Sequence, residues 1–200
     1  MTEYCTAAEL KAYLRITDTV EDTQLGDSII TASRAVDHYC GRRFFADSGV
    51  TARVYKPDTI DMVTVDDFQT TVGLIVQVDT ADTATFSYTL PAANYELEPF
   101  NNIVDGEPGW PYNRIRSLNC EFILWNRRKA SVQVTAKWGW AAVPGPVKQA
   151  TIYLAEEAYK LKGSPFGVAN FDQFGPIRVR DNPKVMAMLA PYRLNPVLVG

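Results

Sequence analysis

The sequence predicts an α+β protein in which N-terminal and C-terminal helices flank an intervening antiparallel β unit, a sandwich or a small barrel. Two changes of hydrophobic period predict this class. Apolar residues recur with the helical period of 3.6 before residue 41, and they alternate with polar residues between residues 50 and 140. The helical period returns after Pro144-Gly145-Pro146. The 200 residues suffice for one large core or two modest ones.

Two helices are predicted at the N-terminus. The pattern Thr6-x-x-Glu9 is a capping box, and it begins a short helix through Leu14. A second helix begins near Glu21 and Asp22, because a helix N-terminus favours negative charge, and Gly41 ends it. The predicted buried face of this second helix consists of Leu25, Ile29, Ala32, Val36 and Tyr39.

Alternation predicts six or seven short strands in the middle of the chain. The clearest one spans residues 132–138, where the parity of Trp138 with Val132 and Val134 predicts that its side chain fills the β core. A second spans residues 72–78, and weaker ones are 52–55, 61–65, 85–90, 95–97 and 114–118. Residues 101–112 are predicted to be a loop, because they contain Asp105-Gly106-Glu107-Pro108-Gly109.

The C-terminal segment returns to helix. Apolar residues on one face predict a helix over 147–161, which Gly163 ends. A loop over 164–176, a short strand over 177–180 and a short helix over 183–189 follow. The tail from Pro191 to Gly200 has apolar residues but is too short to bury them alone, so it suits docking on a partner.

Charge is distributed unevenly along the chain. A net charge of −3 argues against a protein that coats nucleic acid or membrane. Yet residues 1–111 carry a net charge of −11 and residues 112–200 carry +8. If the two signs stay apart after folding, copies attract each other head to tail. If they interleave, they cancel.

Cysteine usage and hydropathy bear on the compartment. Cys5, Cys40 and Cys120 are an odd number at wide spacing, so we expect neither a disulfide framework nor a zinc site, and a reducing compartment fits. We expect no secretion leader and no membrane span, because no apolar stretch approaches 18 residues. The chain is therefore expected to be made and assembled in a cytosol.

Motifs for catalysis are missing from the sequence, so we expect no enzyme activity, no cofactor and no metal. His38 is the single histidine, and it lies in a predicted helix, where a solvent-facing or interface role fits better than catalysis. Asp66-Asp67 and the pair Asp79/Asp82 lack calcium-loop spacing and are expected to be turn acids. Glu96 and Glu98 share one strand face, which suits either a carboxylate hydrolase or a solvated edge.

An aromatic cluster keeps a second function open. Trp138 and Trp140, together with Trp110 and Trp125, could stack on a sugar or on nucleic-acid bases, and sugar stacking would make the β unit a surface- or glycan-binding module. The basic run 127–129 is expected to be a solvated turn.

Two N-terminal stretches, AELKAYL (8–14) and ASRAVDHYCGRRF (32–44), resemble the helical pair of tailed-phage head-to-tail adaptor, or head-tail connector, proteins. The C-terminal strings VTAKWGW (134–140), SPFG (164–167) and GPIRV (175–179), with the helix at 147–162, are similar to the longer adaptors of siphophages. The resemblance implies a helical adaptor core from residues 1–44 and 141–200, interrupted by a β-rich insertion at 45–140.

The resemblance also implies a role and partners. Such a protein is a non-enzymatic part of the virion neck, assembled in the host cytoplasm. It forms a ring of twelve copies between the portal and the stopper or tail-completion protein, and DNA passes through without sequence-specific binding. The portal contact implied by the resemblance involves Pro191, Tyr192, Arg193, Leu194, Pro196 and Val197. The expected inter-subunit contacts are Arg42, Arg43, Phe44, Arg178 and Arg180.

Overall fold

The computed structural model describes residues 2–122, 130–162 and 182–194. Its residues form two compact units. One combines the chain up to Phe44 with Val143 to Leu194, and the other extends from Phe45 to Ala142. Among the described residues, the first is built from helices and the second from strands, and the chain passes into the β unit after Phe44 and out of it after Ala142.

The helical unit contains four α-helices in the described ranges. The long helices α2 and α3 pack against each other, and the short ones pack onto them. The predicted apolar face of α2 is confirmed, since Leu25, Ile29, Ala32 and Val36 are fully buried, while Tyr39 is half-buried. The helices are α1 (Ala7–Leu14), α2 (Asp22–Cys40), α3 (Gly145–Lys162) and α4 (Pro183–Leu189).

Local signals at the helix ends account for where these helices begin and stop. The predicted capping box is confirmed: the Glu9 N–H donates to Thr6 Oγ1 at 3.2 Å, and the Thr6 N–H donates to Glu9 Oε2 at 2.8 Å. Gly41 caps α2 with φ of +68°, a conformation that favours glycine. Asn182 caps α4 by accepting from the Val185 N–H at 3.2 Å.

The described part of the β unit contains nine short strands in three antiparallel sheets. One sheet has the order β1-β9-β3-β4, a second has the order β2-β8-β5, and β6 and β7 form a hairpin. The strands are β1 (Thr51–Tyr55), β2 (Met62–Phe68), β3 (Ile75–Val78), β4 (Tyr88–Thr89), β5 (Tyr95–Glu98), β6 (Ile103–Val104), β7 (Glu107–Pro108), β8 (Tyr112–Ser117) and β9 (Val132–Ala136).

One hydrophobic core joins the four-stranded and three-stranded sheets. Val76 and Val134 enter it from the first sheet, and Val63 and Ile115 enter it from the second. Trp138 is 2% exposed in the same core, which confirms the prediction from its parity. The described strands form no closed barrel, so the barrel alternative is wrong and two sheets around one core remain.

Three predicted segments differ from the structure. The predicted strand 85–90 is only two residues long, Tyr88–Thr89. The predicted strand 72–78 begins only at Ile75, because Gly73 has φ of +79° and the Leu74 N–H donates to the Thr71 carbonyl at 3.1 Å, which makes a turn. The predicted loop 101–112 contains the β6–β7 hairpin, whose turn residues Asp105 and Gly106 have φ of +51° and +84°. Positive φ at both central residues matches strand twist in a two-residue hairpin. The predicted strand 177–180 lies outside the described residues.

Candidate functional site

The structure brings two groups of predicted contact residues together at the C-terminal end of α2. Arg42, Arg43 and Phe44 follow the Gly41 cap directly. The segment after α4 returns to the same place, where the Leu194 N–H donates to the Cys40 carbonyl at 2.8 Å. This bond satisfies one of the last carbonyls of α2, which have no partner within the helix. We call this region, formed by Tyr4, Asp37, residues 40–44 and residues 190–194, the α2 end.

Phe44 is the centre of the α2 end. Its side chain is fully buried and makes edge-to-face contacts with Tyr4 at 5.7 Å and with Tyr192 at 5.9 Å between ring centroids. The Phe44 ring therefore belongs to the core of the helical unit and is not exposed to a neighbouring subunit. Arg42 is half-buried and Arg43 is exposed.

Tyr4 ties the N-terminal segment to the α2 end. Its hydroxyl donates to Asp37 Oδ1 and accepts from the Phe44 N–H at 2.9 Å. Burial first, and then the hydrogen bond to Asp37, raise the pKa of the Tyr4 phenol, so it stays protonated. Burial also raises the pKa of Asp37, against the opposing effects of the Tyr4 hydroxyl and of Arg34, which lies 2.7 Å away.

Sequence reasoning missed Tyr4 and Asp37 because their partners are distant in the chain. Tyr4 forms hydrogen bonds with Asp37 and Phe44, which lie 33 and 40 positions further along the chain. No periodicity or capping pattern reports such a separation.

The C-terminal segment is anchored on its own subunit as far as Leu194. The Arg193 guanidinium lies 5.4 Å from the centre of the Tyr39 ring, in a cation–π contact with α2. Pro191 and Arg193 are exposed, and Tyr192 and Leu194 are half-buried. Pro196 and Val197, like Arg178 and Arg180, lie outside the described residues.

Folding redistributes the charge that the sequence separates. The helical unit draws acids from the first part of the chain and bases from the last, and its net charge is +1; that of the β unit is −4. Lys148 on α3 bonds Glu9 on α1 at 2.9 Å, which joins the two charge segments directly. The alternation of −11 and +8 along the sequence is therefore not a separation in space.

Trp138 and Trp140 are core residues rather than parts of an open aromatic platform. Trp140 is 3% exposed, and its Nε1 donates to Asp67 Oδ2 at 2.8 Å. Trp110 is half-buried against it, with ring centroids 5.3 Å apart. A sugar needs an exposed ring face, so the structure gives no support to the glycan-binding alternative at Trp140. Trp125 and the basic run 127–129 lie outside the described residues.

The paired acids have structural partners. Asp79 accepts from the N–H groups of Ala81, Thr83 and Ala84 at 2.7–3.2 Å, which confirms a turn role. Burial opposes its ionisation, but these donors outweigh burial and hold the pKa of the Asp79 carboxyl below its usual value. Asp66 lies in β2, not in a turn, and is paired with Arg53 at 2.6 Å.

Clusters of metal-ligating side chains and long apolar helices are two further features by which a function could be recognised. Within the described ranges, no group of three His, Cys, Asp or Glu side chains is placed to hold a metal ion. No helix in that part of the chain combines the length and hydropathy needed to cross a bilayer. His38 is exposed on α2.

Residues 5–100 match the model of a protein family described as the phage gp6-like head-tail connector protein. The matched segment contains α1, α2 and the first five strands, and it includes both stretches, 8–14 and 32–44, that carry the resemblance. This match assigns the segment 5–100 to the phage head-tail connector family. No curated protein matches this connector over its sequence.

Solved structures share the fold of the connector along nearly its whole length. A chain in the neck of an empty GTA particle, computed with C6 symmetry, matches at 22% identity with a TM-score of 0.58. Chains in the neck of a native GTA particle, computed with C12 symmetry, and in the virion of a native gene transfer agent particle match at 21% and 20% identity, with TM-scores of 0.50 and 0.55. Each match covers 97% of the connector and 91% of the other chain.

Thiol accessibility gives a first prediction for the connector. Burial raises the pKa of Cys40 to about 12 and that of Cys5 to about 11, whereas Cys120 is exposed. At pH 8 we expect a chromogenic disulfide reagent to titrate one thiol in the native protein and three in denaturant.

The same shifts predict a pH dependence of stability. Unfolded thiols ionise near pH 9 and the buried ones do not, so the free energy of unfolding should fall as pH rises from about 9 towards 12. Rapid titration of two or three native thiols at pH 8 would contradict the burial of Cys5 and Cys40.

Proposed function

We propose that the connector is a non-enzymatic structural protein of the virion neck. In this proposal twelve copies form a ring between the portal and the stopper or tail-completion protein, and DNA passes through the ring. The observation that carries it is the fold match over 97% of the chain, helical and β units together, to chains of particle necks. The head-tail connector family of residues 5–100 supports the same role.

Twelve copies fit the symmetries of the similar necks. A ring of twelve identical chains has C12 symmetry, and the same ring is also compatible with averaging in C6. Such a ring needs a heterologous interface, in which two different patches of each subunit meet and the rotation closes. Arg43, exposed at the α2 end, is our candidate for this interface from the helical unit.

The α2 end gives the proposed portal contact a fixed origin. Tyr192 packs on Phe44 and the Leu194 N–H bonds to Cys40, so the chain is anchored on its own subunit up to Leu194. We propose that Pro196 and Val197 make the portal contact together with Pro191 and Arg193, which are exposed. Assembly takes place in the host cytoplasm, and DNA is not bound in a sequence-specific way, which the net charge of −3 favours.

Ring formation is tested by the mass of the assembled protein. We expect native mass spectrometry of the concentrated protein, or of protein bound to portal-bearing capsids, to show a particle of twelve times the 22.3 kDa chain. A matched control is the chain truncated after Leu194, which keeps the α2 end. It should form rings but should bind the portal at least tenfold more weakly. A protein that stays monomeric and neither binds portal nor co-purifies with particles would contradict the proposal.

A further inference from the structure

The outer face of the four-stranded sheet carries no charge. The register places its outward residues in two rows, Ala52–Thr135–Ile75 and Val54–Gln133–Gln77–Thr89. All seven are exposed or half-buried, and Ile75 and Val54 are 44% and 46% exposed. We call these seven residues the neutral face. Solvated sheet faces are normally polar and charged, so this face is suited to contact with another surface.

The three-stranded sheet of the same unit provides the contrast. Its outward residues include Arg116, which pairs with Glu98 and with Asp61 at 3.0 Å, and Arg114, which is 4.0 Å from Glu98. The ion pairs on this face are compatible with exposure to solvent. The Glu98 carboxylate is paired with two arginines of the same sheet, which gives it a structural role.

Positive charge lies at the two ends of the neutral face. Lys137 directly follows the last residue of β9, and Lys56 directly follows the last residue of β1, so both continue the outward alternation just beyond the strands. Both lysines are exposed, whereas the seven residues between them are uncharged. The surface is therefore neutral in the middle and basic at each end.

The β6–β7 hairpin has the complementary chemistry. Phe100, just before the hairpin, and Ile103 are 56% and 46% exposed, and Asp105 in the turn is exposed. Glu107 pairs with Val104 and therefore lies on the face opposite to Ile103. We call Phe100, Ile103 and Asp105 the hairpin tip. Its base is fixed, because the Trp110 N–H donates to the Asn102 carbonyl at 3.0 Å and the Asn102 amide donates to the Trp110 carbonyl at 2.7 Å. A tip that is already ordered loses little entropy on binding.

We propose that the hairpin tip of one copy docks on the neutral face of the next copy in the ring. Phe100 and Ile103 would cover Val54 and Ile75, and Asp105 would meet one of the two lysines that flank the face. The contact joins two different patches, which is the heterologous type that a ring requires. The inference rests on the proposed ring and names the surfaces that form it.

The size of the neutral face indicates how this contact works. Seven residues at strand and side-chain spacings of about 4.8 Å and 6.8 Å cover roughly 230 Å² of flat area. A stable interface buries about 800 Å² on each partner. The contact therefore adds to others in the assembled ring, and the test belongs in rings rather than in pairs of free copies.

Cross-linking in assembled rings tests the pairing of the two patches. In a Cys120→Ser background the remaining cysteines are buried. We expect the double variant Ile75→Cys/Ile103→Cys, treated with a short bismaleimide, to give a ladder of covalent oligomers beyond the dimer. Rings mixed from the two single variants should give dimers only, and each single variant alone should give none. The control pair Leu118→Cys/Ile75→Cys should give no ladder, since Leu118 is exposed but lies outside both patches.

Charge insertion provides the second measurement. Ile75→Glu places an acid opposite the acidic tip, and we expect it to lower the ring yield at least tenfold. Leu118→Glu should leave the ring yield within twofold of wild type. Both variants should keep the wild-type Tm. If rings form but the ladder is absent, or if Ile75→Glu assembles like Leu118→Glu, the pairing is wrong and the ring stands. If the wild-type protein forms no ring, the proposed function fails, and this inference fails with it.

Discussion

Replacing Gly139 with alanine is expected to destabilise the β unit by about 4 kcal/mol, since backbone strain and overpacking each cost about 1–3 kcal/mol. Gly139 has φ of +103°, which side chains rarely adopt, and a Cβ there would lie 1.8 Å from the Phe45 carbonyl oxygen. The obstacle cannot move away easily, because the Asp47 N–H donates to the Trp138 carbonyl at 2.8 Å and holds the two segments together.

Gly106→Ala is the matched control for this substitution. Gly106 also has positive φ, +84°, but no atom lies within 4 Å of the position that an alanine Cβ would occupy, so only the conformational cost of about 1 kcal/mol applies. Urea unfolding followed by tryptophan fluorescence reports the β unit, because all four tryptophans of the sequence fall within residues 45–142. Equal losses for the two variants would show that the close approach at Phe45 does not constrain the fold.

Phe44→Ala is expected to destabilise the helical unit by about 3–5 kcal/mol, the usual cost of deleting a buried aromatic ring. The ring is fully buried, and its removal takes the packing partner from both Tyr4 and Tyr192. The N-terminal segment and the C-terminal segment should therefore loosen together. Urea unfolding followed by far-ultraviolet ellipticity measures the loss, and hydrogen exchange at Leu194 N–H should report the loosening.

A surface substitution separates the two roles considered for Phe44. Val20→Ala removes an apolar side chain that is 87% exposed in the same unit and should change stability by no more than about 0.5 kcal/mol. If Phe44→Ala kept wild-type stability as a monomer and reduced only ring yield, Phe44 would be an inter-subunit residue after all.

The local elements could be predicted because their causes lie within a few residues of each other. The Thr6/Glu9 capping box depends on a spacing of three, and the buried face of α2 depends on a repeat of 3.6. The burial of Trp138 followed from the alternation of β9. At Gly73 the alternation of apolar and polar residues predicted a strand, but the positive φ of this glycine makes a turn there.

The contact surfaces could not be predicted in the same way. Phe44 was expected at an inter-subunit contact together with Arg42 and Arg43, but packing against Tyr4 and Tyr192 buries it. The neutral face could not be recognised in the sequence either, because its two rows combine residues from β1, β3, β4 and β9. Only strand order decides which of these side chains share a face.

The distribution of charge shows the difference between what the sequence determines and what the fold determines. The fold class, the ends of the first two helices and the net charge of −3 follow from the sequence alone. Where that charge lies depends on the fold: α3 packs against α1, Lys148 bonds Glu9, and the acidic and basic parts of the sequence are combined into units with net charges of +1 and −4. Electrostatic energy depends on distance in space, and folding brings together residues that are far apart along the chain.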